Sequence, residues 1–175
     1  MKPNLLVSII INNYNYDRFI AEAINSAINQ TYPHIEVIVV DDGSTDNSRE
    51  IIAGYSDRIF SILQPNDKQA TAFNSGFAKS KGDIIIFLDS DDYLFPNTVE
   101  KIVAVWKSEL SKVHYRLTVV DTVGKSLGYS SPQGSSPLSG GEVWKTLLEK
   151  GGYISTPTSG NALNRCVLDK LFPIP

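Results

Sequence analysis

The sequence predicts an α/β fold in which a mostly parallel central sheet carries helices on both faces. Three observations carry that expectation. The stretches "LLVSIII" (Leu5–Ile11) and "IEVIVV" (Ile35–Val40) are continuous apolar runs rich in β-branched residues, the pattern of strands buried on both faces. Between them, "RFIAEAINSAINQ" sets Ile20, Ala23, Ile24, Ala27 and Ile28 at helical spacing. The alternation then repeats, and strands alternating with helices imply a parallel sheet wrapped by its crossovers.

Each element follows from local chemistry. Asp17 is placed to cap the first helix, and Pro33, just after Thr31, stops it. After the second strand come "DDGSTD", a short helix "NSREIIAGY", a strand "RIFSILQ" and a helix around "ATAFNSGFAKSK". Gly82 precedes the strand "DIIIFL", and Asn97 with Glu100 forms an N-cap and capping box for "TVEKIVAVWKSEL". "VHYRLTVV" alternates as a strand and leads into a hairpin turn at Asp121 and Gly124. "SSPQGSSPLSGG" reads as a mobile loop. In "GGEVWKTLLEKG", Val143, Trp144, Leu147 and Leu148 make an amphipathic helix, with Glu142 in its first turn. "TPTSGNALNRCVLDKLF" reads as a glycine-containing loop before a helix that Ser159 or Asn161 caps.

Composition narrows the function. A chain of 175 residues with 42% hydrophobic and 20% charged side chains fits one globular domain with a sizeable core. A net charge of −3 supplies no basic field, which disfavours binding to nucleic acid or an anionic membrane through bulk charge. Cys166 is the single cysteine, so the chain holds neither an internal disulfide nor a cysteine zinc site, and a reduced, cytosolic setting fits best. The run Leu5–Ile11 is too short to span a membrane and lacks a small-residue cleavage site. The sequon Asn29-Gln30-Thr31 is a triplet common by chance and carries little weight.

In a sheet of this kind the ligand crevice lies outside the carboxyl ends of the strands. Three polar clusters fall there: "NNYNYD", "DDGSTD" and "DSDD". With the next helix already capped by Asn97, the acids Asp89, Asp91 and Asp92 are spare, and clustered anions repel unless a cation sits between them. Mg²⁺ or Mn²⁺, which take oxygen ligands and bridge to substrate phosphates, is the economical answer. An acid, a spacer and an acid let one carboxylate bind metal while the other reaches a ribose hydroxyl or a metal-bound water. At Asp41-Asp42, with Gly43 allowing a tight turn, a carboxylate can accept the imide N–H of uracil or thymine; Ser44, Thr45 and Asp46 are ordinary capping residues.

These residues together carry a resemblance. "VSIIINNYNYDRFIAEAINSAINQTYPHIEVIVVDDGSTDNS" followed by "NSGFAKSKGDIIIFLDSDDYLFP" resembles the nucleotide-sugar-binding half of the family 2 glycosyltransferases, which have the Rossmann-like GT-A fold; the likeness runs in register from Val7 to about Ile102. It implies that Asn12, Asn13 and Tyr14 line a base pocket, with Tyr14 stacking on the uracil. Asp42 then bonds the base and Asp41 holds the loop. Asp89, Ser90 and Asp91 match the DxD motif, with Asp91 as metal ligand, Asp89 nearer the ribose and Asp92 in support. Phe73 stands where many members place Arg, leaving Lys68 or Gln69 to reach the ribose or a phosphate, while Asn74 and Gly76 match. Some members carry a similar "TSGNA" segment on the acceptor side, which implicates Ser159, Gly160 and Asn161.

The implied enzyme is an inverting, metal-assisted transferase that moves a hexose from a UDP-sugar or similar donor to a glycan or lipid-linked acceptor in polysaccharide biosynthesis. It is expected in the cytoplasm, at the inner face of the membrane, without nucleic acid and with at most peripheral membrane association. Residues 1–110 are expected to form the donor-binding subdomain and 111–175 the incomplete start of an acceptor-side subdomain. Asp121, Glu142, Glu149 and Asp169 match no pattern for the catalytic base, which is expected beyond residue 175, in a longer enzyme. The rival reading is a catalytically inactive sugar-nucleotide-binding module or fragment. No G-x-G-x-x-G follows the first strand and no G-x-x-x-x-G-K occurs, which argues against a dinucleotide dehydrogenase or a P-loop ATPase. The acid clusters sit wrongly for a receiver domain, and the first strand lacks the Gly-rich basic loop of a nucleotidyltransferase.

Overall fold

The structure, a computed structural model, describes residues 4–175. Its main sheet has six strands in the order β3-β2-β1-β4-β8-β5. These are β1 (Val7–Asn13), β2 (Ile35–Asp42), β3 (Phe60–Gln64), β4 (Ile84–Asp89), β5 (Lys112–His114) and β8 (Asn161–Asn164). Strands β1 to β4 pair in parallel and β8 pairs antiparallel with β4. The continuous apolar runs explain this: all seven residues of β1 are buried, as are Ile84 to Leu88 of β4. Both faces are therefore covered.

The chain steps from β1 to β2 to β3, then crosses back to place β4 on the other side of β1. Right-handed crossovers then put α1 (Ile20–Ile28) and α2 (Ser48–Ala53) on one face and α3 (Lys68–Lys79) on the other. The reversal between β1 and β4 is a topological switch point, where the crevice of such a sheet opens. Buried Ile20, Ala23, Ile24 and Ala27 form the inner face of α1, at the expected spacing. On the opposite face Ala72 and Phe77 of α3 pack with Ile10, Ile38, Val40, Ile85 and Phe87. Gly76 lets α3 approach so closely, since a Cβ there would lie 2.4 Å from Ile10 Cγ2.

Several local expectations are corrected. Asp17 does not cap α1; Phe19 occupies that position, and the Asp17 carboxylate accepts from Asn47 instead. At α4 (Thr98–Val105), Asn97 makes no side-chain cap and Glu100 accepts from Thr31 Oγ1, so no capping box forms. Gln30 Oε1 takes the Val99 N–H at 3.0 Å, tying the end of α1 to the start of α4. The stretch "NALN", where the expected helix would begin behind a Ser159 or Asn161 cap, is the strand β8, and the helix that follows, α6 (Arg165–Leu168), is capped by Asn164.

The chain divides into two compact units, one running to Val113 and resuming at Ala162–Pro175, the other His114–Asn161. The last fourteen residues thus return to the first unit. An aromatic cluster receives them. Phe172 stacks on Phe87 at 5.8 Å between centroids and lies 4.4 Å from Phe77, while Asn74 and the Ile174 backbone exchange two hydrogen bonds of 2.9 Å.

The second unit holds the hairpin β6 (Leu117–Val120) and β7 (Ser126–Ser131) and the helix α5 (Val143–Lys150). Asp121 is the expected turn acid, accepting from the Val123 and Lys125 amides. The segment expected as mobile is tied down: Arg116 donates to the Pro132 and Ser136 carbonyls, and Ser139 exchanges bonds with Ile154. No residue of α5 is buried, so its apolar side faces outward, Leu148 being 77% exposed. Among the described residues no helix is long and apolar enough to cross a membrane.

Candidate functional site

The strand ends bring three loops together in register. Asn12 of β1 lies beside Asp89 of β4, Asn13 beside Asp41 of β2, and Asp42 beside Gln64 of β3. Outside these ends opens a cleft of about 510 Å³. Such a volume is typical of small-molecule sites, roughly 300–1,000 Å³. The β1 end contributes Asn12, Asn13, Tyr14 and Tyr16, and β2 contributes Asp42. The start of α3 adds Asn66, Lys68, Gln69 and Ala72, and the β4 end adds Asp89, Ser90 and Asp91.

Eight of the donor-site residues read from the sequence, Asn12, Asn13, Tyr14, Asp42, Lys68, Gln69, Asp89 and Ser90, thus meet in one cavity with the expected metal ligand Asp91. The exception is Asp41, whose side chain is fully buried behind the wall. There it accepts from Asn13 Nδ2 at 3.0 Å, the Ser44 amide at 3.1 Å and Arg49 Nε at 2.7 Å. Burial pushes its carboxyl upward, but the hydrogen bonds from Ser44, Arg49 and Asn13 outweigh that and hold it below the usual carboxylate range. Its task is to fix the β2 turn. Gly43 sits in that turn at φ +80°, where a Cβ would also meet the Asn66 nitrogen at 2.4 Å. Of the expected capping residues, Asp46 accepts from the Ser48 amide at the start of α2, whereas Ser44 and Thr45 bind back to Asn13 and Asn15. Burial raises the Asp46 carboxyl too, and its hydrogen bonds from Ser48 and Asp17 bring it below the ordinary value.

The cleft's polar groups differ in how they are satisfied. Asn12 is 9% exposed, and neither its amide oxygen nor its amide nitrogen has a hydrogen-bond partner. A buried amide with both ends unpaired is costly, and it lines the cavity. Asp42 is committed on one side only: Oδ1 accepts from Gln64 Nε2 at 2.7 Å and from the Asp67 amide at 3.0 Å. Tyr14 is 46% exposed, leaving much of its ring uncovered at the cleft. Lys68 is the one cationic side chain among the lining residues and sits at φ +74°, a left-handed conformation that non-glycine residues rarely hold.

Among the described residues no three His, Cys, Asp or Glu side chains gather as a metal cage. Half-buried Asp89 and exposed Asp91 nevertheless share the cleft wall. Mg²⁺-type ions are held by one or two carboxylates with substrate phosphates and water completing the shell, so this donor set fits a cation that arrives with a diphosphate. Phe73 packs edge-on against Phe87 at 4.7 Å between centroids and supplies no charge.

Tyr16, Asn66 and Ala72 line the cleft without having been expected there, and Gln64 had no expected role. Asn66 was findable, since the β3–α3 loop must leave the same sheet edge. Ser159, Gly160 and Asn161 belong to the second unit, where Tyr115 donates its hydroxyl to the Ser159 carbonyl at 2.8 Å and its amide to the Gly160 carbonyl at 2.9 Å.

The sequence matches the Glycosyl transferase family 2 profile over residues 8–167. The chain belongs to that family. An uncharacterized glycosyltransferase of Nostoc sp. is 41% identical over 174 residues, covering 96% of this chain and 53% of the relative. Chondroitin synthase of Pasteurella multocida is 44% identical over 98 residues, which are 54% of this chain and 10% of that protein. The chain thus spans about half the length of the Nostoc relative, and less of several others. Among solved structures, Staphylococcus aureus TarS in complex with UDP-GlcNAc superposes with a TM-score of 0.69 at 22% identity, covering 95% of this chain and 47% of that one. The Pyrobaculum calidifontis mannosyltransferase PcManGT, in complex with GDP-Man and Mn²⁺, gives 0.67 at 20% identity, covering 98% and 48%. Both likenesses concern the fold, a GT-A glycosyltransferase core.

Proposed function

We propose that this family 2 glycosyltransferase domain binds a uridine diphosphate sugar and serves an inverting transfer of the sugar to a hydroxyl of a glycan or lipid-linked acceptor. One observation carries the reading: the unpaired amide of Asn12 and the half-committed carboxylate of Asp42 face the same cleft as Asp89, Ser90 and Asp91. The first pair suits a base edge that offers an N–H beside carbonyls, with Tyr14 as the stacking face. The acids at the β4 end suit the ribose and diphosphate. TarS, with UDP-GlcNAc, and PcManGT, with GDP-Man and Mn²⁺, support a nucleoside diphosphate sugar as the ligand class.

In this reading Asp91, with Asp89 beside it, holds Mg²⁺ or Mn²⁺. Through such an ion these two acids would place positive charge beside the leaving diphosphate. Asp89 orients the ribose, Ser90 lies along the same edge, and Lys68 and Gln69 close the cleft from α3. The acceptor hydroxyl must lose a proton on the face opposite the leaving group. No acid among residues 4–175 is assigned that task; Ser159, Gly160 and Asn161 are assigned to the acceptor side. The setting is the cytoplasm, at the inner face of the membrane, in polysaccharide assembly.

The test is a thermal-shift panel of UDP, dTDP, GDP and CMP with and without Mn²⁺. UDP is expected to raise the melting temperature most, and more with Mn²⁺. A chain that no nucleotide stabilises loses this reading, and a preference for GDP overturns its base assignment.

A further inference from the structure

Asp42 is oriented by a chain of hydrogen bonds that begins outside the cleft. Gln64, the last residue of β3 and the register partner of Asp42, donates Nε2 to Asp42 Oδ1 at 2.7 Å. Its own amide oxygen accepts from Ser75 Oγ of α3 at 2.7 Å, and its backbone carbonyl accepts from Arg49 Nη2 at 2.8 Å. Ser75 precedes Gly76, the residue at which α3 is pressed against β1, so the helix end of the chain is rigidly placed. The amide is thereby read unambiguously: a carboxylate only accepts and must face Nε2, so the serine hydroxyl donates to Oε1.

We infer that Gln64, held by Ser75, is the positioning residue that determines which base Asp42 selects. With Gln64 Nε2 and the Asp67 amide both on Oδ1, the carboxylate plane is fixed and Oδ2 alone is left for a ligand. A single acceptor of fixed direction rewards a ring N–H and rejects a base that has a lone pair or a methyl group there. The inference rests on the uridine reading of the cleft and deepens it. Gln64 touches no substrate; its effect passes through Asp42.

Calorimetric binding of UDP and of N3-methyl-UDP, identical but for the blocked imide, tests it. The parent protein is expected to prefer UDP at least tenfold. Gln64→Met should bring the two affinities within about threefold while leaving that for N3-methyl-UDP unchanged, because the ribose and diphosphate contacts remain. Ser75→Ala, which keeps the amide but frees it to swing, should give an intermediate ratio and decides the matter if the methionine variant does not fold. A folded Gln64→Met or Ser75→Ala protein that keeps the full preference overturns the inference and spares the uridine reading. A parent protein that binds neither nucleotide overturns both.

Discussion

Arg49 Nε lies 2.7 Å from Asp41 Oδ2, joining a partly exposed guanidinium on α2 to a fully buried carboxylate at the end of β2. The pair pins the turn that presents Asp42. Removing the guanidinium leaves a buried charge with only Asn13 and Ser44 to satisfy it. Because water reaches the arginine, Arg49→Met should cost about 2 kcal/mol, less than the 3–5 kcal/mol of a fully buried pair. Urea unfolding measures it, and a loss under about 0.5 kcal/mol shows that the pair is dispensable.

The same carboxylate sets an acid limb. Asp41 binds its proton less tightly folded than unfolded, so its contribution is fully present above the ordinary aspartate value of about 3.9 and is lost as pH falls through the lower folded value. Asp46 acts in the same direction. Urea midpoints should therefore fall as pH drops below the ordinary aspartate value of about 3.9, and more gently in Asp41→Asn. An equally steep acid limb in the variant counts against the role given to Asp41.

Asn12 offers the opposite test, of a residue that costs stability in the empty protein. Its unpaired amide is buried in a strand where β-branched residues are favoured. Asn12→Val should leave the melting temperature unchanged or raise it by the equivalent of about 1 kcal/mol, while UDP affinity falls at least tenfold. A valine variant that melts lower and binds as before would make Asn12 a packing residue.

How much of this was legible in sequence depends on the range of the interaction. The β1–β4 core and the gathering of Asn12, Tyr14, Asp42, Lys68, Gln69, Asp89, Ser90 and Asp91 follow from apolar runs and strand ends, which are local signals. What failed was set by partners far along the chain. Gln30 rather than Asn97 caps α4 from 69 residues away, and no capping rule looks that far. "NALN" is short and half polar, and becomes a strand only because β4 presents an unpaired edge. Asp41 and Asp42 are adjacent and chemically identical; their division into a buried brace and a cleft wall is decided by Arg49 and Gln64, which arrive from α2 and β3.

Asp91 is exposed at the cleft, so its carboxylate stabilises nothing in the empty protein. Asp91→Asn should melt within a degree or two of the parent, and UDP should then stabilise it equally with and without Mn²⁺. Loss of folding would mark the acid as structural, and an unchanged Mn²⁺ effect would move the cation elsewhere.

Lys68 combines strain with position. Holding a non-glycine residue at φ +74° costs about 1–2 kcal/mol, and the residue that bears this cost is the sole cation among those lining a cleft that also contains Asp42, Asp89 and Asp91. Lys68→Gly removes the strain but makes the unfolded chain more flexible by about 0.4–1 kcal/mol, so the net result should be stabilisation of about 0.5–1 kcal/mol. It also removes the ammonium, and UDP affinity should drop several-fold with a shallower dependence on salt. Lys68→Met keeps the strain and loses the charge, so it should bind like the glycine variant and melt like the parent. If the glycine variant is more stable and binds UDP as tightly as before, the left-handed lysine serves the loop rather than the ligand, and the anion must be met by a metal ion or by backbone amides alone.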